Sequence, residues 1–449
     1  MRIADALEVR PGDVVALVGA GGKTSTMFRL ADELVQQGWR VVTTTTTRVA
    51  QDELSFAPQQ VGFGHGMYLP KSLPEQLSLH RHVFVFTKTE PDHKVRGVRP
   101  AWLDENLAQA PFLDVVIVEA DGSRRLPMKA PLPHEPVIPS SASIVVPVIS
   151  MEALGQPLDE AHIYGAEIVH RLTGHPLGEA VTSKTIAAVL IHPQLGVKGI
   201  PPGARIAPLL NRVTAETLSA AREVASYSLT DLNINRVLLG CVHSRDPVLE
   251  TRRRIGAIIL AAGESRRMGQ PKMLLPWKGT SIIRRVCEQV IEAGVYEAVV
   301  VVGRWRDAIQ MEVDDLPVRV IVNPDYEQGE MLSSLQAGIR AIWHTSDACM
   351  VVLGDQPAIQ STIARQLVEC YFQGRGMIVA PSYQQRRGHP LIIDRVFWQS
   401  ILDLPPGAVP RDLIRANEDQ IYHLVVESDS VLRDIDTPDE YRRYLDESE

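Results

Sequence analysis

Short apolar, β-branched runs alternate along this chain with longer stretches whose apolar residues recur every three or four positions. Runs at residues 13–18, 114–118, 143–148 and 206–210 read as buried strands in the first half. Those at 255–260, 298–302, 318–322 and 348–353 read the same way in the second. Residues 281–293 carry Ile282, Ile283, Val286, Val290 and Ile291 at helical spacing, with Gly294 where a helix would end. Strand and helix in alternation predict parallel sheets with right-handed crossovers, in two α/β units. The boundary falls at Thr251-Arg252-Arg253-Arg254, a charged run that reads as a solvated linker before a fresh strand and a glycine motif. The expected domains are therefore 1–250 and 254–449. Residues 151–247 are less legible: 162–172 looks helical and Pro201-Pro202-Gly203 marks a turn. That segment is either a second lobe of the first domain or a small domain of its own.

Composition narrows the class. At 449 residues the chain exceeds one ordinary core, and 45% hydrophobic with 22% charged residues is the balance of a globular protein. A net charge of −8 and only 5% aromatics argue against a nucleic-acid partner. No apolar run approaches the roughly 20 residues of a membrane span, and the first ten residues lack the apolar core of a signal peptide. Cys241, Cys287, Cys349 and Cys370 are widely spaced with no CxxC pair, which suits free thiols rather than disulfides or zinc. The expectation is a cytoplasmic protein without a membrane partner.

The second half carries the clearest chemistry. The strand at 255–260 runs into Ala261-Ala262-Gly263-Glu264-Ser265-Arg266-Arg267-Met268-Gly269-Gln270-Pro271-Lys272. In an open α/β sheet this loop lies beyond the strand's carboxyl end, where ligands bind. Small residues at 261–263 let backbone N–H groups approach phosphate oxygens, and Arg267 and Lys272 bring charge to neutralise a triphosphate. Two acidic positions complete the set. Asp355 ends the apolar run Val351-Val352-Leu353-Gly354, and Asp436 lies in Asp434-Ile435-Asp436-Thr437-Pro438-Asp439 before a final helix at 439–445. Magnesium takes one or two carboxylates and fills its shell with phosphate and water, so Asp355 and Asp436 are the candidate ligands. Each has a plainer alternative. Asp355 could cap a turn, and Asp434, Asp436 or Asp439 could cap the last helix.

The segments LAAGESRRMGQPK, GDQP and DIDTPDEY, in that order, closely resemble the molybdenum cofactor nucleotidyltransferases over about residues 254–445. The resemblance implies a Rossmann-like fold related to the nucleotide-diphospho-sugar transferases. It implies that Leu260, Ala261, Ala262 and Gly263 cradle the nucleotide, Arg267 and Lys272 bind its phosphates, and Asp355 and Asp436 hold magnesium. The segment Gly329-Glu330-Met331-Leu332-Ser333-Ser334-Leu335 resembles the part that reads the base, with Ser333 and Ser334 as candidate contacts. Arg386-Arg387-Gly388-His389-Pro390 resembles the Gly-His-Pro turn near the acceptor, which points to Arg387, Gly388 and His389; read alone, His389 beside a proline is a turn residue. Ala262 resembles the cytidylyl-transferring branch, which selects CTP.

In the first half, a strand leads into Gly19-Ala20-Gly21-Gly22-Lys23-Thr24-Ser25-Thr26 and an amphipathic helix to about residue 36. This is an anion site at a helix N-terminus, with Gly19, Gly21, Gly22, Lys23 and Thr24 placed for nucleotide phosphate and magnesium. The alternative is a glycine-rich turn with an ordinary surface lysine. The spacing departs from G-x-x-x-x-G-K-[ST] and resembles the shortened loop of the Mur ligases. Five threonines, 43–47, follow a strand at 40–42; they either continue that strand or lend one hydroxyl to a metal. Glu119 and Asp121 close the next strand, where a Walker-B-type carboxylate would act on metal or water. Asn211-Arg212-Val213-Thr214 faintly resembles a guanine-reading motif but lacks its acid, so the base is left open. VGAGGKTSTMFRLADEL, TTTTTR and VEADGSRRLPMKAP resemble the selenium-dependent hydroxylase accessory protein family over about residues 1–239.

The expected fold is thus α/β with two fused Rossmann-like units, a P-loop-type domain followed by a nucleotidyltransferase domain. The expected reaction transfers CMP from CTP to the phosphate of molybdopterin, with magnesium as cofactor, in the maturation of a molybdenum hydroxylase client. Two other readings remain open. One is a nucleotidyltransferase acting on a sugar or polyol phosphate or using GTP; the other is a nucleotide-gated chaperone for the cofactor.

Overall fold

The structure is a computed structural model and describes the chain except residues 65–67, 92, 266, 329–330 and 447–449. Gly329, Glu330 and Arg266 of the motifs above therefore lie outside the described residues. The chain divides into two units, Met1–Arg252 and Arg253–Glu449.

The first unit is built on a ten-stranded sheet. Its strands are β1 (Val14–Gly19), β2 (Val41–Thr45), β3 (Gln60–Gly62), β4 (His82–Phe86), β5 (Val115–Glu119), β6 (Ile144–Ser150), β7 (Arg205–Ile206), β8 (Leu209–Asn211), β9 (Val237–Gly240) and β10 (Val248–Arg252). They lie in the order β10-β9-β8-β6-β1-β5-β2-β4-β3, with β7 also beside β6. All pair in parallel except β10, which runs antiparallel to β9. The central strands are buried along nearly their whole length, and mostly apolar, because both faces are covered. Val15 and Leu17 of β1 belong to one core and Val14, Ala16 and Val18 to the opposite one, the two-residue period of a strand.

Three local differences from the sequence pattern have physical causes. The run at 206–210 divides into β7 and β8, because Pro208 has no N–H to give a ladder. The helix expected from 162 begins at Ala166, after Gly165 takes a left-handed φ of 73° and Ile163–Tyr164 pairs with Met128–Lys129. The strand before the threonines extends through Thr45, and every hydroxyl from Thr43 to Thr47 bonds within the unit. Residues 151–247 add β7, β8 and β9 to the main sheet, and helices Ala166–Thr173, Ser183–Ile191 and Leu218–Ser228 pack against Leu210, Val237 and Leu239. That segment shares its core with the sheet.

The second unit has strands β11 (Ile255–Ala261), β12 (Glu297–Val302), β13 (Arg319–Val322), β14 (Ala348–Leu353), β15 (Ile378–Tyr383), β16 (Arg386–Arg387), β17 (Leu391–Asp394) and β18 (Ile421–Val425). Their order is β13-β12-β11-β14-β17-β15-β16, with β18 also beside β15. The sheet is parallel from β13 through β14, and β17 runs against its neighbours β14 and β15. In β11, Ala257 and Ile259 pack on one face and Ile258 and Leu260 on the other. The loops after β11 and β14 therefore emerge side by side at one end of the sheet. No helix among the described residues is long and apolar enough to cross a membrane.

Candidate functional site

At that end of the second unit, Lys272 begins a short turn, Lys272–Leu274, after the glycine loop. Ser265 braces the loop: its hydroxyl accepts the Lys272 N–H at 3.1 Å, and its carbonyl accepts the Met268 N–H at 3.0 Å. Beside it, Gly354 donates to the Leu260 carbonyl at 3.0 Å, which sets Asp355 at the mouth of the sheet. The C-terminal acidic run docks there because Ile435 is fully buried and its N–H bonds the Asp355 carbonyl at 3.1 Å. Lys272 Nζ then meets Asp355 Oδ2 at 2.5 Å and Asp436 Oδ1 at 3.1 Å, across 83 and 164 residues of chain. Arg267 meets the other oxygen of Asp436 at 2.8 Å.

The helix cap is made without Asp436. The Thr437 hydroxyl accepts the Glu440 N–H at 3.3 Å, and the Glu440 carboxylate accepts the N–H groups of Asp436 and Thr437 at 3.0 and 2.9 Å. The Asp436 side chain is left for the cations. Burial opposes the Lys272 charge, but Asp355 and Asp436 outweigh it and raise its pKa. Burial likewise opposes the Asp436 charge, and Lys272 and Arg267 override it and lower the pKa. Asp434, unremarked among the candidate ligands, is shifted the other way, by burial and then by Asp355 and Asp436.

These groups line a cleft of about 540 Å³ together with Leu260, Ala262, Gly263, Tyr326, Glu327, Met331 and Ser334. The Ala261 side chain packs in the core instead. Ser333 and Ser334 both accept from the Asn323 amide, at 2.9 and 3.0 Å. Asn323 is fully buried and had no motif to betray it. Arg387, Gly388 and His389 do not line this cleft. Their turn is braced by Gly388 N–H to Pro381 O and His389 N–H to Val431 O, both 2.9 Å. Burial, then Arg387 and Arg411, push the His389 imidazole down to about 4. Burial lowers Arg387 as well, Glu418 opposes that, and Arg411 and Arg415 add to the lowering. Sequence reasoning missed Arg411 and Arg415, which lie in a helix without a recognised motif.

In the first unit, the glycine loop leads into helix Lys23–Gln36. Gly21 (φ +83°) and Gly22 (φ +127°) take backbone conformations closed to most side chains, and a Cβ on Gly21 would meet the Ser150 Cβ at 2.5 Å. Lys23 Nζ donates to the Gly19 carbonyl at 2.7 Å and lies 3.2 Å from Asp121 and 3.6 Å from Glu119. The Thr24 hydroxyl donates to Glu119 at 2.8 Å, and Gly19 N–H to Asp121 at 3.0 Å. Lys129, quoted above only as part of a motif, is a second buried cation, 3.2 Å from Asp121 and 2.7 Å from Glu135. Asn211 also serves the loop, donating to the Gly21 carbonyl at 2.8 Å. Burial opposes the Lys23 charge; Asp121 and Glu119 outweigh it and raise the pKa.

The acid-framed lysine beside the glycine loop, beyond the parallel strand ends, together with the matches to this unit, defines the second unit as a nucleotidyltransferase. Residues 15–167 match the family model described as YqeC protein, and residues 257–421 match the MobA-like NTP transferase domain. The chain belongs to the YqeC family through its first unit, and its second unit carries a MobA-like NTP transferase domain. YqeC of Escherichia coli K12 is 31% identical over 235 residues, covering 52% of this chain and 90% of that protein. Nicotine blue oxidoreductase of Paenarthrobacter nicotinovorans is 30% identical over 200 residues, 42% of this chain and 96% of its own. Molybdenum cofactor cytidylyltransferase of Escherichia coli K12 is 27% identical over 187 residues, 42% of this chain and 93% of its own.

Proposed function

We propose that the second unit transfers CMP from CTP to the terminal phosphate of molybdopterin in the molybdenum cofactor. The observation that carries this reading is the meeting of Asp355 and Asp436, remote in sequence, on the single ammonium of Lys272. The oxidoreductase relative means that similarity over the unit does not by itself fix the reaction, so the reading rests on this constellation.

The donor set fits magnesium. Asp355 and Asp436 bring two hard carboxylate oxygens to one place, now bridged by the Lys272 ammonium, which would turn to the phosphates when the ion binds; among the described residues no cluster of three or more metal-binding side chains forms. The remaining ligands would come from the nucleotide and water. Asp355 and Asp436 would hold the ion, which supplies Lewis-acid stabilisation of phosphate charge. A phosphate oxygen of the acceptor attacks the α-phosphorus of CTP. The new P–O bond forms as the bond to the β-phosphate oxygen breaks, and that electron pair leaves with pyrophosphate. The acceptor phosphate is already anionic at neutral pH, so no general base is required. Lys272 and Arg267 stabilise the triphosphate and the departing pyrophosphate. Leu260 and Ala262 with the backbone at Ala261 and Gly263 would cradle the nucleotide, and Asn323 holds Ser334, which lines the cleft, and its neighbour Ser333, the two candidates to read the base. Arg387, with Arg411 and Arg415 close enough to repel it, would form the electropositive ground for the acceptor's phosphate, and His389, held neutral by burial, would offer only its ring nitrogens there.

For the first unit we propose a P-loop-type, Rossmann-like nucleotide site in an accessory domain for molybdenum hydroxylase maturation. Gly19, Gly21, Gly22, Lys23 and Thr24 would bind phosphate, while Glu119 and Asp121 would hold magnesium or orient water. A nucleotide-gated cofactor chaperone is the second reading of this unit; its test is client binding that depends on nucleotide and on Lys23. Tethering raises the effective concentration of one unit's product near the other. The deciding experiment incubates the full chain with molybdenum cofactor and CTP, GTP or ATP, and reads the product by mass spectrometry. A cytidylylated pterin with equimolar pyrophosphate supports the proposal; turnover only with a sugar phosphate, or only with GTP, overturns the substrate choice.

A further inference from the structure

We infer that the second unit holds another anion site, separate from the nucleotide cleft, which takes the phosphate of a small phosphorylated molecule. A cavity of about 370 Å³ is lined by Trp277, Lys278, Arg285, Pro357, Ser430 and Arg433, among others. None of its lining residues lines the larger cleft, although Pro357 and Arg433 lie two and three residues along the chain from Asp355 and Asp436.

The charge is one-sided. Asp429 is the carboxylate of the cavity, and it is held by Arg433 at 2.8 Å. Lys278 and Arg285 have no carboxylate partner among the described residues. Two uncompensated cations in one cavity, on a chain of net charge −8, match a dianion. The amides there are committed elsewhere: Gln289 accepts the Ser361 N–H at 3.0 Å, and Gln360 donates to Ser428 at 3.3 Å. Ser430 is different. Its residue is 5% exposed and its buried hydroxyl has no partner among the described residues. A buried hydroxyl without a partner is costly, and turning it toward the cavity its residue lines would pair it with a bound phosphate oxygen. The volume exceeds that of phosphate alone, and Trp277, Pro357 and Ile359 offer apolar surface for an attached organic group.

Phenylglyoxal labelling of the full chain, read peptide by peptide by mass spectrometry, tests the site at Arg285 itself. Inorganic phosphate or glycerol 3-phosphate should slow modification of Arg285 by about tenfold, while sodium chloride at equal ionic strength should not. The Lys278→Gln variant, altered at an exposed side chain, should lose most of that protection. Stronger protection by glycerol 3-phosphate identifies an ester as the ligand; equal protection identifies free phosphate. Unchanged labelling of Arg285, or equal protection in Lys278→Gln, overturns the inference. Protection by CTP alone also overturns it, because the cavity would then belong to the nucleotide. This test stands whether or not the proposed transfer reaction is correct.

Discussion

The two units solve the same electrostatic problem with opposite degrees of enclosure. Each brings an ammonium between two acids at the end of a parallel sheet. In the first, the side chains of Lys23, Asp121 and Lys129 are 1–2% exposed, and three acids, Asp121, Glu119 and Glu135, surround two lysines. In the second, Lys272 is 11% exposed, Asp436 29% and Arg267 69%, around an open cleft. Enclosure makes the first network part of the fold, since a buried charge without its partner is severely destabilising. The openness of the second frees its charges for an incoming polyphosphate and leaves them a modest share of stability.

That contrast is broken most sharply by activity. Asp355→Ala should cut CTP-dependent pyrophosphate release by about a thousandfold, with the circular dichroism spectrum unchanged. A folded variant that keeps near-normal turnover would remove Asp355 from the site. Next in size is the stability of the lysine variants. Lys23→Met should destabilise its unit by about 3–5 kcal/mol, whereas Lys272→Met should cost about 1 kcal/mol. Urea denaturation measures both, and equal losses would erase the distinction.

Acid sharpens the same comparison within the first unit. His82, buried and bonded to Thr43 at 2.8 Å, is pushed down to about 4 by burial. Between its ordinary value of 6.5 and about 4 the unfolded chain takes up a proton that the folded chain refuses. Stability is therefore full above that window and falls through it as pH drops, by about 3 kcal/mol in all. His82→Gln should flatten this part of the unfolding profile; an unaltered slope would assign it to other groups. The smallest effect separates the two loops. Gly21→Ala meets both a positive φ and Ser150, and should cost about 1–3 kcal/mol. Nothing lies within 4 Å of a Cβ on Gly263, so Gly263→Ala should leave stability within about 0.5 kcal/mol and raise KM for the nucleotide. Thermal melts and initial rates check the pair.

The sequence makes the strands legible where both faces are buried, because a run such as Ala348–Leu353 must be apolar at every position. It misleads where one residue breaks the pattern, as at Pro208 and Gly165. In the sites, residues next to a glycine turn or a strand end stand out as motifs. Asn323 and Arg411 do not, since each acts through residues elsewhere in the chain, and Lys129 and Asp434 lie inside motifs that do not reveal what they touch. The threonine run is conspicuous, and hydroxyls within it bond backbone carbonyls of neighbouring segments, contacts that the run alone does not reveal.

Everything in the second unit depends on Lys272, Asp355 and Asp436 enclosing one triphosphate. Equilibrium dialysis of radiolabelled CTP, with and without magnesium, against the full chain and its Asp355→Asn/Asp436→Asn variant addresses this directly. The account predicts magnesium-dependent binding by the parent chain and loss of the magnesium dependence in the variant. Equal magnesium-dependent binding by both would contradict it.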